Sequence, residues 1–267
     1  MNNTIAVFGC GWLGLPLAKS LVKEGFSVNG STTSKEKMGL LEENEISPFL
    51  IDLTAINFVN VVQNLLQNAT ILIVNIPPRM KIGDPSSYFK KMEVLHHCTK
   101  QSSVSKVIFV SSTSVYGNFN GVVTEQTVPE PVSEGAKQLL DTEQLFLSDT
   151  SLQTSIIRFG GLIGSDRHPV NHLAKKEEVT NGNHPVNLIH RSDCIGIIHL
   201  IIAKEYWGEI FNAVYPHHPS KALYYTAIAK EKGLKPPKFI TNTTSKGKTI
   251  RATNLVEHKG YQFVAPV

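Results

Sequence analysis

Three glycines close together, in Gly9-Cys10-Gly11-Trp12-Leu13-Gly14, bring main-chain N–H groups to where a phosphate could be held. The apolar run Thr4–Phe8 leads into them, and Leu15, Leu17, Ala18, Leu21 and Val22 follow at helical spacing. In a strand–turn–helix of this kind Gly9 permits the tight turn, Gly11 lets a pyrophosphate approach without a Cβ in its way, and Gly14 lets helix pack on strand. The helix N-terminus then offers amides and a favourable dipole to the anion. Such a glycine run is weak evidence alone; its position at the start of a βαβ unit makes it a dinucleotide cradle. Gly9, Gly11, Trp12, Leu13 and Gly14 are therefore candidate cofactor contacts, with Trp12 packing either over the cofactor or beneath the sheet edge.

About 20 positions further on, NAD-selective proteins carry an Asp or Glu for the adenosine ribose. This sequence has Gly30-Ser31-Thr32-Thr33-Ser34-Lys35-Glu36-Lys37 there, hydroxyls and lysines that suit a 2′-phosphate. Thr32, Thr33 and Lys35 are the candidates, and the expected cofactor is NADP(H), with NAD(H) as the alternative. Lys35 and Lys37 read equally as solvated charges at a helix start. Asp52, past the third strand, is a candidate for the adenine edge or a helix cap.

The elements that must position these residues are legible as short Val- and Ile-rich runs: Thr4–Phe8, Phe26–Gly30, Phe49–Ile51, Ile71–Asn75, Lys106–Ser111 and Ser155–Phe159. Continuous apolar strands separated by helical patterns predict an α/β fold, a doubly wound parallel sheet of the Rossmann type. Further segments at Val186–Ile189 and Glu209–Val214, with a helix over Asp193–Ala203, predict a small substrate-binding subdomain. The expected division is 1–160 for the nucleotide domain and 161–267 for the subdomain, interleaved with the core. At 267 residues, 41% hydrophobic and 18% charged, the chain can bury a full core. A net charge of +4 with scattered Lys and Arg argues against nucleic acid as a partner, and no apolar run is long enough to span a membrane. Three cysteines, Cys10, Cys98 and Cys194, cannot all pair within the chain, so a cytoplasmic location is the expectation.

A second set of hydroxyls, Ser111-Ser112-Thr113-Ser114-Val115-Tyr116-Gly117, falls at the C-terminal edge of the predicted sheet, where ligands bind in open α/β folds. With the glycine loop before it, this segment resembles the extended and atypical short-chain dehydrogenase/reductases, the NAD-dependent epimerase/dehydratase group acting largely on nucleotide sugars. Ile76-Pro77-Pro78-Arg79, Arg158-Phe159-Gly160-Gly161-Leu162-Ile163-Gly164, Val186-Asn187-Leu188-Ile189-His190-Arg191-Ser192-Asp193 and Phe211-Asn212-Ala213-Val214 extend the likeness over most of the chain.

The resemblance implies that Ser112 hydrogen-bonds the substrate oxygen and that Lys137 anchors the nicotinamide ribose. It also implies a tyrosine four residues before that lysine, one helical turn away. Ser133 stands there instead, and none of the seven tyrosines has a lysine four positions later. Ser133, Tyr116, Glu125, Glu134 or a held water are the proton carriers left to consider. Pro77 is assigned to the cofactor, and Arg79, Thr113 and Arg167 to the substrate, Arg167 as a bidentate diphosphate clasp or a surface ion pair with Asp166.

The expected activity is hydride transfer on a small carbohydrate-like, nucleotide-linked alcohol, in a homodimer. The rival is an NADP(H)-binding sensor without turnover. His168 and His172 have a metal-compatible spacing without further ligands to support it, and His217-His218 reads as surface loop, so no metal is expected.

Overall fold

The computed structural model of the chain describes residues 4–51, 58–78, 88–241 and 244–267. Asp52 and Arg79 lie outside the described residues.

In chain order the elements are β1 (Thr4–Phe8), α1 (Gly14–Lys23), β2 (Ser27–Thr32), α2 (Glu36–Glu42), β3 (Ile46–Leu50), α3 (Phe58–Leu66), β4 (Ala69–Val74), α4 (Tyr88–Lys100) and β5 (Lys106–Ser112). After a 3-10 turn at Thr113–Tyr116 come β6 (Gly121–Val123), α5 (Glu134–Leu147), β7 (Gln153–Phe159), β8 (Gly161–Ile163), α6 (Val170–Leu173), β9 (Leu188–His190) and α7 (Arg191–Lys204). The chain closes with β10 (Ile210–Ala213), α8 (Lys221–Glu231), β11 (Lys248–Ile250) and a π-helical turn at Asn254–His258.

Among the described residues seven strands form one sheet in the order β10-β7-β5-β4-β1-β2-β3. The pairings of β1 with β2 and β4, β2 with β3, and β4 with β5 are parallel. This is the doubly wound Rossmann-type α/β fold that the apolar runs predict. β1 lies inside the sheet, between β4 and β2, and all five of its residues are buried. Being covered on both faces, it reads as an unbroken apolar run rather than an alternating one.

Most strands match the sequence reading to within two residues at either end, and the differences at β2 and β3 have a local cause. β2 runs two residues past Gly30, because Ser31 and Thr32 continue the ladder opposite Phe49 and Leu50. β3 begins at Ile46 rather than Phe49, despite Pro48. It is an edge strand, where a missing N–H is tolerated.

The chain divides into two compact units, each assembled from three segments. The first comprises Met1–Ser112, Ser133–Ile157 and Ile195–Ile210; the second comprises Thr113–Val132, Arg158–Cys194 and Phe211–Val267. Residues on both sides of the expected boundary at 160 interleave: 113–132 fall in the second unit, and 195–210 return to the first. There Ile197, Ile198 and Ile201 of α7 are fully buried, and the Ile156 N–H donates to the Glu209 carbonyl at 2.9 Å.

The second unit has its own core around Ile163, Val170, Val186, Leu188, Tyr224, Tyr225 and Ala229. Its two short sheets, β8 with β9 and β6 with β11, are both parallel. Asp193, fully buried, fastens the chain's last residues in this unit. Its carboxylate accepts from the Tyr261 hydroxyl at 3.0 Å, the Val264 N–H at 2.8 Å and the Ala265 N–H at 3.1 Å.

Candidate dinucleotide site

The glycine loop is clamped from both neighbouring strands. On the β2 side the Gly9 N–H donates to Ser31 Oγ at 2.8 Å, and the Cys10 N–H to the Ser31 carbonyl at 2.7 Å. On the β4 side Asn75 receives the chain, its N–H donating to the Phe8 carbonyl at 2.9 Å and its Nδ2 to the Gly9 carbonyl at 3.0 Å. Gly9 has φ +115°, and a Cβ there would come within 2.6 Å of the Asn75 carbonyl oxygen. At Gly14 a Cβ would meet the Gly9 carbonyl oxygen at 2.0 Å. Both positions are thus closed to any side chain by backbone.

Gly11 differs, for a Cβ there would meet nothing within 4 Å. The helix α1 opens after Leu13 with no side-chain cap, leaving first-turn N–H groups for which an anion is a natural partner. These features fit a pyrophosphate: a rigid turn, an open approach at the second glycine and an uncapped helix start.

A cavity of about 260 Å³ adjoins this loop, wholly within the first unit. Gly9, Gly11, Thr32, Thr33 and Pro77 line it, together with Ser31, Lys37, Asn75, Tyr88 and Lys91, which the sequence reading did not assign to the site. Asn75 was legible as the last residue of an apolar strand, and Tyr88 and Lys91 by their spacing of three on a helix. Lys35 does not line the cavity; it sits exposed at the N-cap position of α2, and Lys37 is the wall lysine. Trp12 also lies off the wall, and Leu13 and Gly14 are buried beneath the loop.

Most hydroxyls of the β2 exit serve the protein itself. Thr32 Oγ1 accepts from the Ser34 N–H at 3.2 Å, and Ser34 Oγ donates to Glu36 at 2.5 Å, a bond that holds the Glu36 carboxyl below its ordinary range. Among the described residues, no carboxylate lines the cavity. Cys10 does line it, but burial pushes its thiol up to about 12, so it carries no thiolate near neutral pH.

Beyond this cavity, β5 ends at the partly exposed Ser112, while the preceding Ser111 turns inward and its Oγ donates to the buried Glu143 of α5 at 2.5 Å. Ser133 is the N-cap of α5, its Oγ accepting from the Ala136 N–H at 3.3 Å. The residue that stands where the resemblance implies a tyrosine is thus occupied in closing a helix. Lys137 lies exposed in the first turn of the same helix, and Glu134 accepts from Gln138 Nε2 at 3.1 Å.

In the second unit Tyr116 is 1% exposed, its hydroxyl donating to Asn212 Oδ1 at 2.9 Å and accepting from Arg158 at 2.8 Å. Burial raises its pKa, against the opposing pull of Arg158. The Tyr116 hydroxyl thus has its donor and acceptor capacity engaged out of solvent. Glu125 Oε1 accepts from the Asn212 and Asn254 N–H groups at 3.0 and 3.2 Å, and burial raises this carboxyl too. Thr113 is buried; its carbonyl and that of Gly117 accept from Lys248 Nζ at 2.9 and 2.7 Å, so one ammonium ties both ends of the turn that follows Ser112.

Arg167 is exposed in a turn that pairs it with Gly164 through the main chain. Asp166 pairs with Arg191 at 3.4 Å. His168 Nδ1 accepts from the Val170 N–H at 3.2 Å, and its Nε2 lies 3.0 Å from the Tyr224 hydroxyl. Among the described residues no group of three His, Cys, Asp or Glu is placed to hold a metal ion, and no helix is long and apolar enough to cross a membrane.

A parallel sheet in this order, with a glycine turn clamped beside a cavity at its carboxyl edge, is a Rossmann-type fold. Solved structures share it end to end. The UDP-glucuronic acid 4-epimerase of Bacillus cereus, in complex with NAD, superposes with a TM-score of 0.81 at 20% identity, over 98% of this chain and 92% of that one. MoeE5, in complex with UDP-glucose and NAD, gives 0.79 at 20% identity, over 99% and 94%. The dTDP-glucose 4,6-dehydratase of Bacillus anthracis, in complex with NAD, gives 0.80 at 14% identity, over 98% and 92%.

The chain belongs to the family of Protein YeeZ of Escherichia coli K12, with which it is 32% identical over 265 residues, 98% of this chain and 96% of YeeZ. No protein-family model matches it.

Proposed function

We propose that this protein binds a nicotinamide dinucleotide, NADP(H) in preference to NAD(H), and uses it on a small carbohydrate-like alcohol, nucleotide-linked as in its fold relatives. One observation carries the cofactor reading: among the described residues, the cavity beside the open second glycine is walled by Lys37 and Thr33 and by no carboxylate. An acid at this point would repel a 2′-phosphate; a lysine attracts it. The amides of the Gly9–Gly14 turn hold the pyrophosphate and Lys137 the nicotinamide ribose. When bound, the nicotinamide supplies hydride transfer to or from a carbinol carbon. Ser112, at the exit of β5, donates its hydroxyl to the substrate oxygen. The substrate classes of the fold relatives, UDP-glucose, UDP-glucuronic acid and dTDP-glucose, support the choice of a sugar nucleotide.

The cofactor reading is tested by thermal shift. Ligand at about 100 times its dissociation constant adds roughly 2.7 kcal/mol of stability, so NADPH and NADH at equal concentration compare directly. A larger shift with NADH overturns the preference. Turnover is tested with 4-deuterated NADPH and a panel of sugar nucleotides, by following the label into product.

A second reading, dinucleotide binding without turnover, has a specific observation in its favour. The proton-carrying phenol of the related enzymes is replaced by Ser133, which caps a helix, and Tyr116 is sealed between Arg158 and Asn212. Label retained in the cofactor across the whole panel, with binding established, selects this reading.

A further inference from the structure

The strand that ends at Ser112 and the helix that carries Lys137 are joined by two side-chain pairs of opposite character. Deeper in the sheet, Phe109 of β5 stacks on Phe146 of α5, ring centroids 6.1 Å apart. Nearer the carboxyl edge, Ser111 Oγ donates to Glu143 Oε1 at 2.5 Å. Phe109 and Ser111 alternate onto the same face of the strand, and Glu143 and Phe146 share one face of the helix. All four side chains are buried.

The polar pair is the one that stability alone does not call for. A hydroxyl and a carboxyl must be stripped of water to meet here, and an apolar residue of similar volume in place of such a group often serves stability as well or better. What the pair supplies is register. Apolar contact between the two rings has no fixed direction and accepts a small slide, whereas a hydrogen bond weakens steeply once its angle or distance changes.

That register is felt at the open ends of both elements. Ser112 follows Ser111 directly, and Lys137 lies less than two turns before Glu143 on α5. The first turn of α5 stands beside the cavity: a Cβ on Gly135 would meet Pro78 Cγ at 3.5 Å, and the neighbouring Pro77 lines the wall.

Resting on the reading that Lys137 holds the nicotinamide ribose and Ser112 the substrate oxygen, we propose that Glu143 is a positioning residue of this site. Through Ser111 it fixes the start of α5 against the end of β5, and so sets the place of Lys137 relative to Ser112. It touches neither cofactor nor substrate. A misplacement of about 1 Å by a distant group is enough to cost such a site much of its effect.

The test is titration calorimetry on the full chain with NADPH and with 2′,5′-ADP, which keeps the adenosine half and lacks the nicotinamide ribose. NADH and ADP replace them should the protein select the unphosphorylated form. Ser111→Ala and Glu143→Met are each expected to weaken NADPH roughly tenfold and to leave 2′,5′-ADP unchanged. Glu143→Gln, whose amide oxygen still accepts from Ser111, is expected to restore most of the lost affinity. Added to Lys137→Met, Ser111→Ala is expected to weaken NADPH no further, because the bond acts through that lysine. Melting temperatures of the unliganded variants establish that they fold, Ser111→Ala carrying the comparison alone should Glu143→Met not. Wild-type NADPH affinity in Ser111→Ala, or a loss shared equally by 2′,5′-ADP, overturns the positioning role and leaves the dinucleotide reading intact. So does a Glu143→Gln variant as weak as Glu143→Met. Wild-type protein that binds NADPH no more tightly than 2′,5′-ADP overturns the assignment of Lys137 and this proposal with it.

Discussion

Replacing Gly11 by alanine separates what the glycine turn does for the fold from what it does for a ligand. A Cβ at this position meets no atom within 4 Å, and the residue's φ is not among the positive ones. The folded chain therefore accepts it, and the loss of unfolded-state freedom adds about 0.4–1 kcal/mol of stability. The same Cβ enters the space through which a pyrophosphate approaches the main chain. Losing one such charge-assisted hydrogen bond costs about 1.5–3 kcal/mol, which is roughly ten- to a hundredfold in affinity.

Gly14→Ala is the internal control. Its Cβ would stand 2.0 Å from the Gly9 carbonyl oxygen and 2.8 Å from Asn75 Nδ2, so backbone must move. Overpacking of this kind costs about 3 kcal/mol. Urea unfolding paired with NADPH titration reads both quantities. Gly11→Ala should unfold at the wild-type urea concentration or higher while losing NADPH; Gly14→Ala should lose stability first. Wild-type NADPH affinity in Gly11→Ala would refute the argument that the second glycine is an approach route, and equal destabilisation of the two variants would refute the geometry.

Three further outcomes follow from bonds elsewhere. Ser133→Ala should cost about 1 kcal/mol by removing the cap of α5, measured by urea unfolding; no loss would refute the capping role assigned to Ser133. Asp193→Ala removes the acceptor of one hydroxyl and two N–H groups and should cost about 3 kcal/mol, with faster proteolysis beyond Tyr261; a tail as resistant as in the wild type would show that other contacts hold it. Asp149 is held down to about 2 by the Ser151 hydroxyl, from an unperturbed 3.8. Over that interval the unfolded chain takes the proton first. The stability this carboxylate contributes is therefore complete above about pH 4 and lost as pH falls through about 2. Asp149→Asn should flatten that part of the acid-unfolding curve, and an unchanged slope would refute the shift.

The sheet was readable in the sequence because its inner strands are buried on both faces and so appear as continuous Val- and Ile-rich runs. Of the four three-residue strands, β6, β8 and β11 were not, since so short a segment shows no period, and β9 was met only in part, within Val186–Ile189. Gly9, Gly11, Thr32 and Thr33 were singled out from local pattern and Pro77 from the resemblance, and all five line the cavity. Ser31 and Asn75 were passed over because their roles depend on strands that meet only in space. Lys37 lines the cavity where Lys35 was expected to, two positions along, a distance that spacing along a chain does not resolve until the helix start is known. Ser133 shows the opposite case: its position before Glu134 and an apolar helix was already an N-cap signature, overshadowed by the absence of the tyrosine expected there.

That the first unit takes its last segment from residues 195–210 has a bearing on how the chain comes to be made. At about 5–20 residues per second, a ribosome needs roughly 10–40 s to reach that point. Throughout this time the surface awaiting Ile197, Ile198 and Ile201 is bare. A gene truncated after codon 160 would encode an uncovered sheet rather than a free-standing nucleotide domain, and such a fragment belongs in inclusion bodies, not in solution.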